Sequence, residues 1–283
     1  MVIAVASGKG GTGKTTVSVN LASVIKGKVQ LLDCDVEEPN ADLFLKTRGH
    51  ETEIVSLPVP ELCESLCVNC CSCVEFCQFN ALVSLAGKVV AFPELCHSCG
   101  GCIEICPNNA LKETQKRIGT KSKSKSGNIS LVQGVLDVSS PLVPPLIHSV
   151  KKELKQNQIV ILDAPPGASC PLIATVNDAD VIVLVTEPTP FGLNDLILIV
   201  DAIKPLGHPF GVVINRDNNI FKGVEEFCSK EKIPVLMKIP EDRKIAEAYS
   251  NGQIIVSVLT EYRERFRTLM EKIKELYNLR SCH

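Results

Sequence analysis

Two groups of residues in this chain have types and spacings that could do chemistry. The first is Ser7-Gly8-Lys9-Gly10-Gly11-Thr12-Gly13-Lys14-Thr15-Thr16, in which a glycine, four residues and then Gly-Lys-Thr follow an apolar run. A loop of this kind turns its backbone N–H groups onto phosphate oxygens, and the helix after it adds the positive end of its dipole. Lys14 then reaches the β- and γ-phosphates and Thr15 holds Mg²⁺. A chance glycine-rich turn would lack the context that the pattern needs. Here Met1 to Ala6 reads as a buried parallel strand before the loop, and Val17 to Ile25 as the helix after it. The second group is thiols. Ten of the 14 cysteines lie between Cys63 and Cys106. Cys67, Cys70, Cys73 and Cys77 are spaced C-x2-C-x2-C-x3-C, and Cys96, Cys99, Cys102 and Cys106 repeat the spacing, followed by Pro107. Thiolates this close on a tight loop can face three irons of a cubane, while the fourth serves the other cluster. By that rule Cys67, Cys70, Cys73 and Cys106 bind one [4Fe–4S] cluster, and Cys77, Cys96, Cys99 and Cys102 the other. Zinc knuckles do not use this doubled spacing.

The repeat extends past the cysteines. Phe79-Asn80-Ala81-Leu82 matches Asn108-Asn109-Ala110-Leu111, the internal pseudo-twofold of a bacterial two-cluster ferredoxin, which this stretch resembles. The halves differ in places. Gln78 stands where the second half has Pro107, and Cys70-Cys71 where it has Cys99-Gly100. Pro60-Glu61-Leu62-Cys63 copies Pro93-Glu94-Leu95-Cys96, which offers Cys63 as a rival first ligand. The four-cysteine spacing selects Cys67, so Cys63 and Cys71 read as spare thiols.

Elements that would position the phosphate loop follow in order. Val29 to Leu32 reads as a second strand, ending in Asp33-Cys34-Asp35 and a switch-like loop through Asn40. Gln158 to Leu162 is another apolar strand, ending in Asp163-Ala164-Pro165-Pro166-Gly167. A carboxylate there holds Mg²⁺ through water, so Asp163 takes that role, and the Gly167 N–H would sense the γ-phosphate. Strands also end at Thr186, Ile214 and Ile239, and Thr260 to Leu279 reads as an amphipathic helix packed on the body. Alternating strands and helices predict an α/β fold, a P-loop-type parallel sheet flanked by helices with an inserted α+β ferredoxin-like domain.

The loop Lys-Gly-Gly-Thr-Gly-Lys-Thr-Thr, with its early Lys9, resembles the deviant phosphate loop of the family that includes MinD, ParA and the nitrogenase iron protein. The resemblance covers the whole chain and implies an ATP sandwich in a homodimer, with Lys9 acting across the interface. It implies that Asp35 orients or activates the attacking water, with Asp33 on the Mg²⁺ side, so that Lys9, Lys14 and Asp35 are the catalytic set. It places adenine against Asn215-Arg216 and Pro240-Glu241. A guanine-reading Asn-Lys-x-Asp is missing, which favours ATP. A cysteine after the second switch ligates a shared cluster in the nitrogenase iron protein. Cys170 stands at that place, where a buried thiol is the likelier reading than a ligand. Cys34 and Cys228 read as structural, and Cys282 as a thiol without a partner motif.

Domain limits follow from composition. Pro58 and Pro60 mark a boundary after residue 58, and the Ser-, Gly- and Lys-rich run from Lys116 to Lys125 reads as a solvated basic loop returning to the main domain. Residues 1–58 and 117–283 would then form the ATPase domain and 59–116 the ferredoxin domain. The chain is 283 residues long with a net charge of −2, which gives no global pull toward nucleic acid. Aromatics are 4% and Trp is absent, so base-stacking platforms are not suggested. No apolar run reaches membrane-spanning length, and the N-terminus reads as a strand rather than a signal peptide. These readings lead to the expectation of a cytoplasmic location, where fourteen cysteines point to metal rather than disulfides.

Three functions fit these residues. The first is a slow, partner-stimulated ATPase whose nucleotide switch gates electron transfer through two clusters to a redox partner. The second is an iron–sulfur scaffold or carrier that delivers to an apo-protein acceptor. The third, which leaves the cysteines without a purpose, is a positioning ATPase.

Overall fold

The computed structural model describes residues 1–138 and 140–280, so Cys282 lies outside the described residues. Strand β1 (Val2–Ala6) runs through the glycine loop into α1 (Lys14–Val24), and β2 (Val29–Asp33) leads to the short α2 (Ala41–Leu45). A long strand, β3 (Arg48–Leu62), enters the cysteine-rich stretch, which holds α3 (Ser72–Phe76), the hairpin of β4 (Leu82–Leu85) and β5 (Lys88–Ala91), and α4 (Gly101–Glu104). A second long strand, β6 (Leu111–Ser126), is followed by β7 (Ile129–Leu136). Helices and strands then alternate through α5 (Val143–Lys151), β8 (Ile159–Asp163), α6 (Cys170–Val176), β9 (Val181–Thr186) and α7 (Pro190–Ile203). The chain closes with β10 (Phe210–Asp217), α8 (Gly223–Lys230), β11 (Val235–Pro240), α9 (Arg243–Ser250), α10 (Ile255–Val258) and α11 (Thr260–Arg280).

The chain divides into two compact units. The first comprises Met1–Thr52, Lys121–Val135 and Ile147–His283; the second comprises Glu53–Thr120 and Leu136–Leu146. The strand order is β11-β10-β9-β1-β8-β2-β7-β6-β3, and β1, β2, β8, β9, β10 and β11 all pair in parallel. This is an α/β fold with a mostly parallel central sheet flanked by helices. Its central strands are fully buried apolar runs, as strands covered on both faces must be. Register matters most at the carboxyl ends, where Asp33 of β2 lies beside Asp163 of β8 and Val5 of β1 on the other side of it.

Helix α11 belongs to this core. Phe266, Leu269 and Ile273 are fully buried on its inner face, packed with Val183, Leu236 and residues of α1. Among the described residues no helix is long and apolar enough to cross a membrane.

Two stretches that composition marks as linkers are strands. Residues 51–60 lie inside β3, whose Pro58 and Pro60 are tolerated because β3 is last in the strand order and need not donate on both sides. The basic run 116–125 lies inside β6. Ile118 is fully buried there, and Glu153 accepts Lys121 at 2.7 Å and Lys123 at 2.8 Å on its two oxygens. These ion pairs remove the solvation that would otherwise favour a loop.

The second unit has a small interior. Leu82, Val89 and Leu111 are buried together with Cys73 and Cys102, and Val59 and Ala81 with Cys96. Its two halves are related by an offset of 29 residues in backbone as well as sequence. Asn69 and Ser98, Cys71 and Gly100, and Asn80 and Asn109 all have positive φ. Ala81 N–H donates to Cys77 Sγ at 3.3 Å, and Ala110 N–H to Cys106 Sγ at 3.2 Å. Cys63 N–H donates to the Ala110 carbonyl, as Phe92 N–H does to that of Ala81.

If α11 is a core helix rather than a detachable one, Phe266→Ala should destabilise the first unit by about 3–5 kcal/mol, the usual cost of emptying a buried phenylalanine site. A urea titration followed by far-UV circular dichroism reads this as an earlier midpoint. An unchanged midpoint would mean that the helix is dispensable to the core.

Candidate functional site

The glycine loop opens α1 without a side-chain cap. Gly13 occupies the N-cap position at φ 92°, and Gly11 is also left-handed at φ 79°. The first N–H groups of α1 are therefore available to an anion rather than to a side-chain oxygen. Gly13 has a second reason to be glycine, since a Cβ there would run into the Asn215 side-chain amide. A Cβ on Gly8 would strike the Asp195 backbone.

Lys14, Asp33, Asp35 and Asp163 meet at the carboxyl ends of β1, β2 and β8. Lys14 Nζ donates to Asp35 Oδ2 at 2.6 Å, with both side chains about nine-tenths buried. Burial pulls the Lys14 pKa down, but Asp163, Asp35 and Asp33 outweigh it and hold the ammonium above the ordinary lysine value. Burial raises Asp163, against the pull of Lys14 and the hydroxyls of Thr15 and Ser18. Asp33 is pushed up to about 8, first by burial and then by the neighbouring Asp163. Its Oδ1 accepts the Asp35 N–H at 3.2 Å, and its Oδ2 accepts the Asn40 and Ala41 N–H groups at 3.1 Å. Asp33, expected on the Mg²⁺ side, fastens the loop between β2 and α2 through these bonds.

A divalent cation fits what remains. Asp163 Oδ1 accepts from Ser18 Oγ at 3.0 Å, but the buried Oδ2 has no hydrogen-bond partner, and neither has Thr12 Oγ1. An orphaned carboxylate oxygen in a carboxylate-rich pocket calls for positive charge.

Three sequence candidates are held in ways that sequence did not reveal. Lys9 Nζ lies 3.4 Å from Glu187 Oε2, whose Oε1 accepts Arg216 at 2.7 Å. Gly167 N–H donates to the Ser7 carbonyl at 2.9 Å, so in this conformation it faces the loop backbone. Asn215 Nδ2 donates to the Thr12 carbonyl at 2.7 Å and so braces the glycine loop. Pro240 and Glu241 stand at the end of β11, beside the end of β10, with Glu241 N–H donating to the Asp217 carbonyl. Thr16 accepts from Asn20 through its backbone carbonyl, and Gly10 is open to space. Ser18 and Glu187 were missed. Ser18 lies one helical turn after Lys14, on the same face, and Glu187 directly follows β9, near where Asp163 ends β8; either pattern could have flagged it. Cys34 and Cys228 are buried, as expected. Cys170, expected to be buried, is exposed because it opens α6 instead of lying on its inner face.

In the second unit the cysteines gather as two quartets. Cys77, Cys96, Cys99 and Cys102 line a cavity of about 670 Å³, with Phe76, Phe79 and His97 among its walls. Cys67, Cys70, Cys73 and Cys106 line a second, closed down to about 20 Å³, which Cys71 also borders. Burial pushes the Cys102 thiol up to about 11, helped by Cys96, Cys99 and Cys77. Burial likewise raises Cys73, helped by Cys106, Cys70 and Cys67. Each quartet thus sets thiolates against one another unless a cationic core lies among them. Among the described residues no three His, Cys, Asp or Glu side chains converge on a single-ion site. A cubane takes one thiolate per iron, so convergence on one point is not its requirement.

A glycine loop on a helix N-terminus, with lysine and carboxylates at the ends of adjacent parallel strands, defines a P-loop nucleotide-binding protein. The model of the CobQ/CobB/MinD/ParA nucleotide binding domain matches residues 3–256, and the chain belongs to that family. An uncharacterised protein of Methanocaldococcus jannaschii is 31% identical over 97% of this chain and 97% of its own length. An iron-sulfur cluster carrier protein of Pyrococcus horikoshii is 26% identical over 98% of this chain and 85% of its own. The septum site-determining protein MinD of Pyrococcus horikoshii, solved in complex with Mg-ADP, shares the fold. Its TM-score is 0.61 at 20% identity, covering 98% of this chain and 97% of that one.

Gly13→Ala should weaken nucleotide binding by about tenfold or more, because a Cβ in the left-handed conformation costs roughly 1–2 kcal/mol before any collision with Asn215. Titration with a fluorescent ATP analogue checks this. Wild-type affinity in a folded variant would show that the loop does not need its conformation.

Proposed function

We propose that this protein is an ATPase whose nucleotide switch controls electron transfer through two [4Fe–4S] clusters. The observation that carries the reading is one chain with both a P-loop site, complete to its orphaned cation position, and two thiol quartets in ferredoxin order. We assign the inserted ferredoxin-like domain to residues 59–116, which fall within the second compact unit of Glu53–Thr120 and Leu136–Leu146, and the ATPase domain to 1–58 with 117–283.

ATP is the substrate. Lys14 and the loop N–H groups hold its phosphates, Thr15 and Asp163 hold Mg²⁺, and Asp35 orients the attacking water. Asp35 must first leave Lys14, which turns to the incoming phosphates and frees the carboxylate. Asn215, Arg216, Pro240 and Glu241 flank the base. Two further contacts have to change. Lys9 is tied in its own chain to Glu187 and must leave it to serve a partner's nucleotide in a homodimer. The Gly167 N–H must leave Ser7 to meet a γ-phosphate. Both ties belong to a resting form, and ATP competes with them.

Cys67, Cys70, Cys73 and Cys106 hold one cluster, and Cys77, Cys96, Cys99 and Cys102 the other. Bound there, the clusters supply one-electron transfer. The chain's own part is to exclude water, with Cys73, Cys96 and Cys102 buried, and to place Cys77 and Cys106 under backbone N–H donors, which stabilise the reduced state. Such donors and a small thiol-lined interior suit resident clusters that also hold their unit together.

A second reading, delivery of a cluster to an apo-protein, is favoured by the carrier relative and by the exposure of Cys70 and Cys99. Cys170, exposed at the start of α6, stays outside the proposed electron path.

Anaerobically purified protein should contain about eight irons, as two cubanes require. Lys9→Ala should keep nucleotide affinity within about fivefold, because only an exposed ion pair is lost, yet lose ATP-dependent dimerisation in light scattering. A Lys9→Ala variant that dimerises with ATP like the wild type would overturn the role in trans.

A further inference from the structure

We propose that Cys71 is a fifth ligand of the site formed by Cys67, Cys70, Cys73 and Cys106, exchanging there with Cys70 at one iron. The proposal rests on the two-cluster reading above and assigns a role to a thiol that the ligand spacing leaves over.

The two quartets are built on one backbone pattern, so each is a control for the other. Cys71 and Gly100 hold the same position, before α3 and α4 respectively, and both are left-handed, at φ 62° and 74°. Glycine takes this conformation freely, whereas a side chain resists it. The first half nonetheless has a side chain there, and it is a thiol. Its surroundings are those of a ligand. Cys71 borders the cavity lined by Cys67, Cys70, Cys73 and Cys106, and it packs against the buried group that contains Cys73 and Leu111. The first quartet therefore has five thiols at its cavity and the second quartet four.

The outgoing partner is Cys70. It is exposed, while Cys71 is half-buried and Cys73 buried. The Ser72 hydroxyl donates to Cys70 Sγ at 3.6 Å. The Cys71 thiol, a weak donor, donates to the Asn69 carbonyl at 3.5 Å. In the exchange the Cys71 thiol loses its proton and its sulfur bonds to iron. The iron–sulfur bond to Cys70 breaks, and the Cys70 thiolate takes up a proton from solvent. Charge and electron count are unchanged, and no oxidant or reductant is needed. The site can thus release one exposed ligand without losing a coordination position. Its twin cannot, because Gly100 offers no thiol.

The test compares full-length variants reconstituted anaerobically with iron and sulfide, with iron per chain and the EPR spectrum of the reduced protein as readouts. Wild type should carry about eight irons, and a wild type short of two clusters would overturn the two-cluster reading itself rather than the role of Cys71. Cys70→Ala should keep about eight irons with a changed signal from one cluster, whereas Cys70→Ala with Cys71→Ala should fall to about four, one cubane. Cys71→Ala alone should keep both clusters, with Cys70 in place, which shows that the substitution does not unfold the site. Equal iron in Cys70→Ala and in the double variant, whether high or low, would overturn the exchange.

Discussion

Lys14 is a buried cation at the meeting point of three carboxylates, and the nucleotide site depends on that balance. Parallel pairing of β1, β8 and β2 sets Asp33 and Asp163 side by side, and the loop after β1 brings Lys14 and Asp35 to them. Such a cluster would repel itself without compensation. Lys14 compensates in part, backbone N–H groups satisfy Asp33, and one oxygen of Asp163 is left for a divalent cation. In the proposed mechanism nucleotide and Mg²⁺ complete this charge pattern and draw Lys14 away from Asp35, so that the resting contacts stand in for the contacts a ligand would make.

The same logic holds around the loop. Glu187 receives both Lys9 and Arg216, and Ser7 receives the Gly167 N–H. In the proposed mechanism these are the partners that ATP displaces. The second unit follows a parallel principle with different chemistry. A short chain with few large apolar side chains cannot build a deep core, and here thiols take up the interior with Leu82, Val89 and Leu111. Four thiols gathered twice make poor packing material by themselves and a good receptacle for a cationic inorganic core.

Local patterns were legible from sequence, and relations across space were not. The glycine loop, Asp163 at a strand end and the doubled cysteine spacing each lie within a few residues, and the chain's family and parallel α/β fold agree with them. The two cavities gather the thiols three from one loop and one from the other, the grouping that the two-cluster ferredoxin pattern implies. Ser18 and Glu187 were not seen, because their roles arise only when α1 packs beside β8 and when β9 is placed next to β1. Strands β3 and β6 read as linkers because Pro58, Pro60 and the lysines look like loop residues. An edge position excuses the prolines, and the distant Glu153 pairs with both Lys121 and Lys123. Cys170 looked like core from composition, yet its place at the start of α6 turns it outward. The positive φ of Cys71 likewise has no signature in a single sequence beyond its alignment with Gly100.

The central claim is that nucleotide state and cluster redox state are coupled in one chain. The measurement that tests it most directly is an anaerobic redox titration followed by EPR, with MgADP and with MgATP. Coupling predicts that the midpoint potential of at least one cluster differs between the two by about 60 mV or more, a tenfold change in a one-electron equilibrium. Potentials that coincide with MgATP and MgADP in protein that carries both clusters and binds both nucleotides would contradict the account.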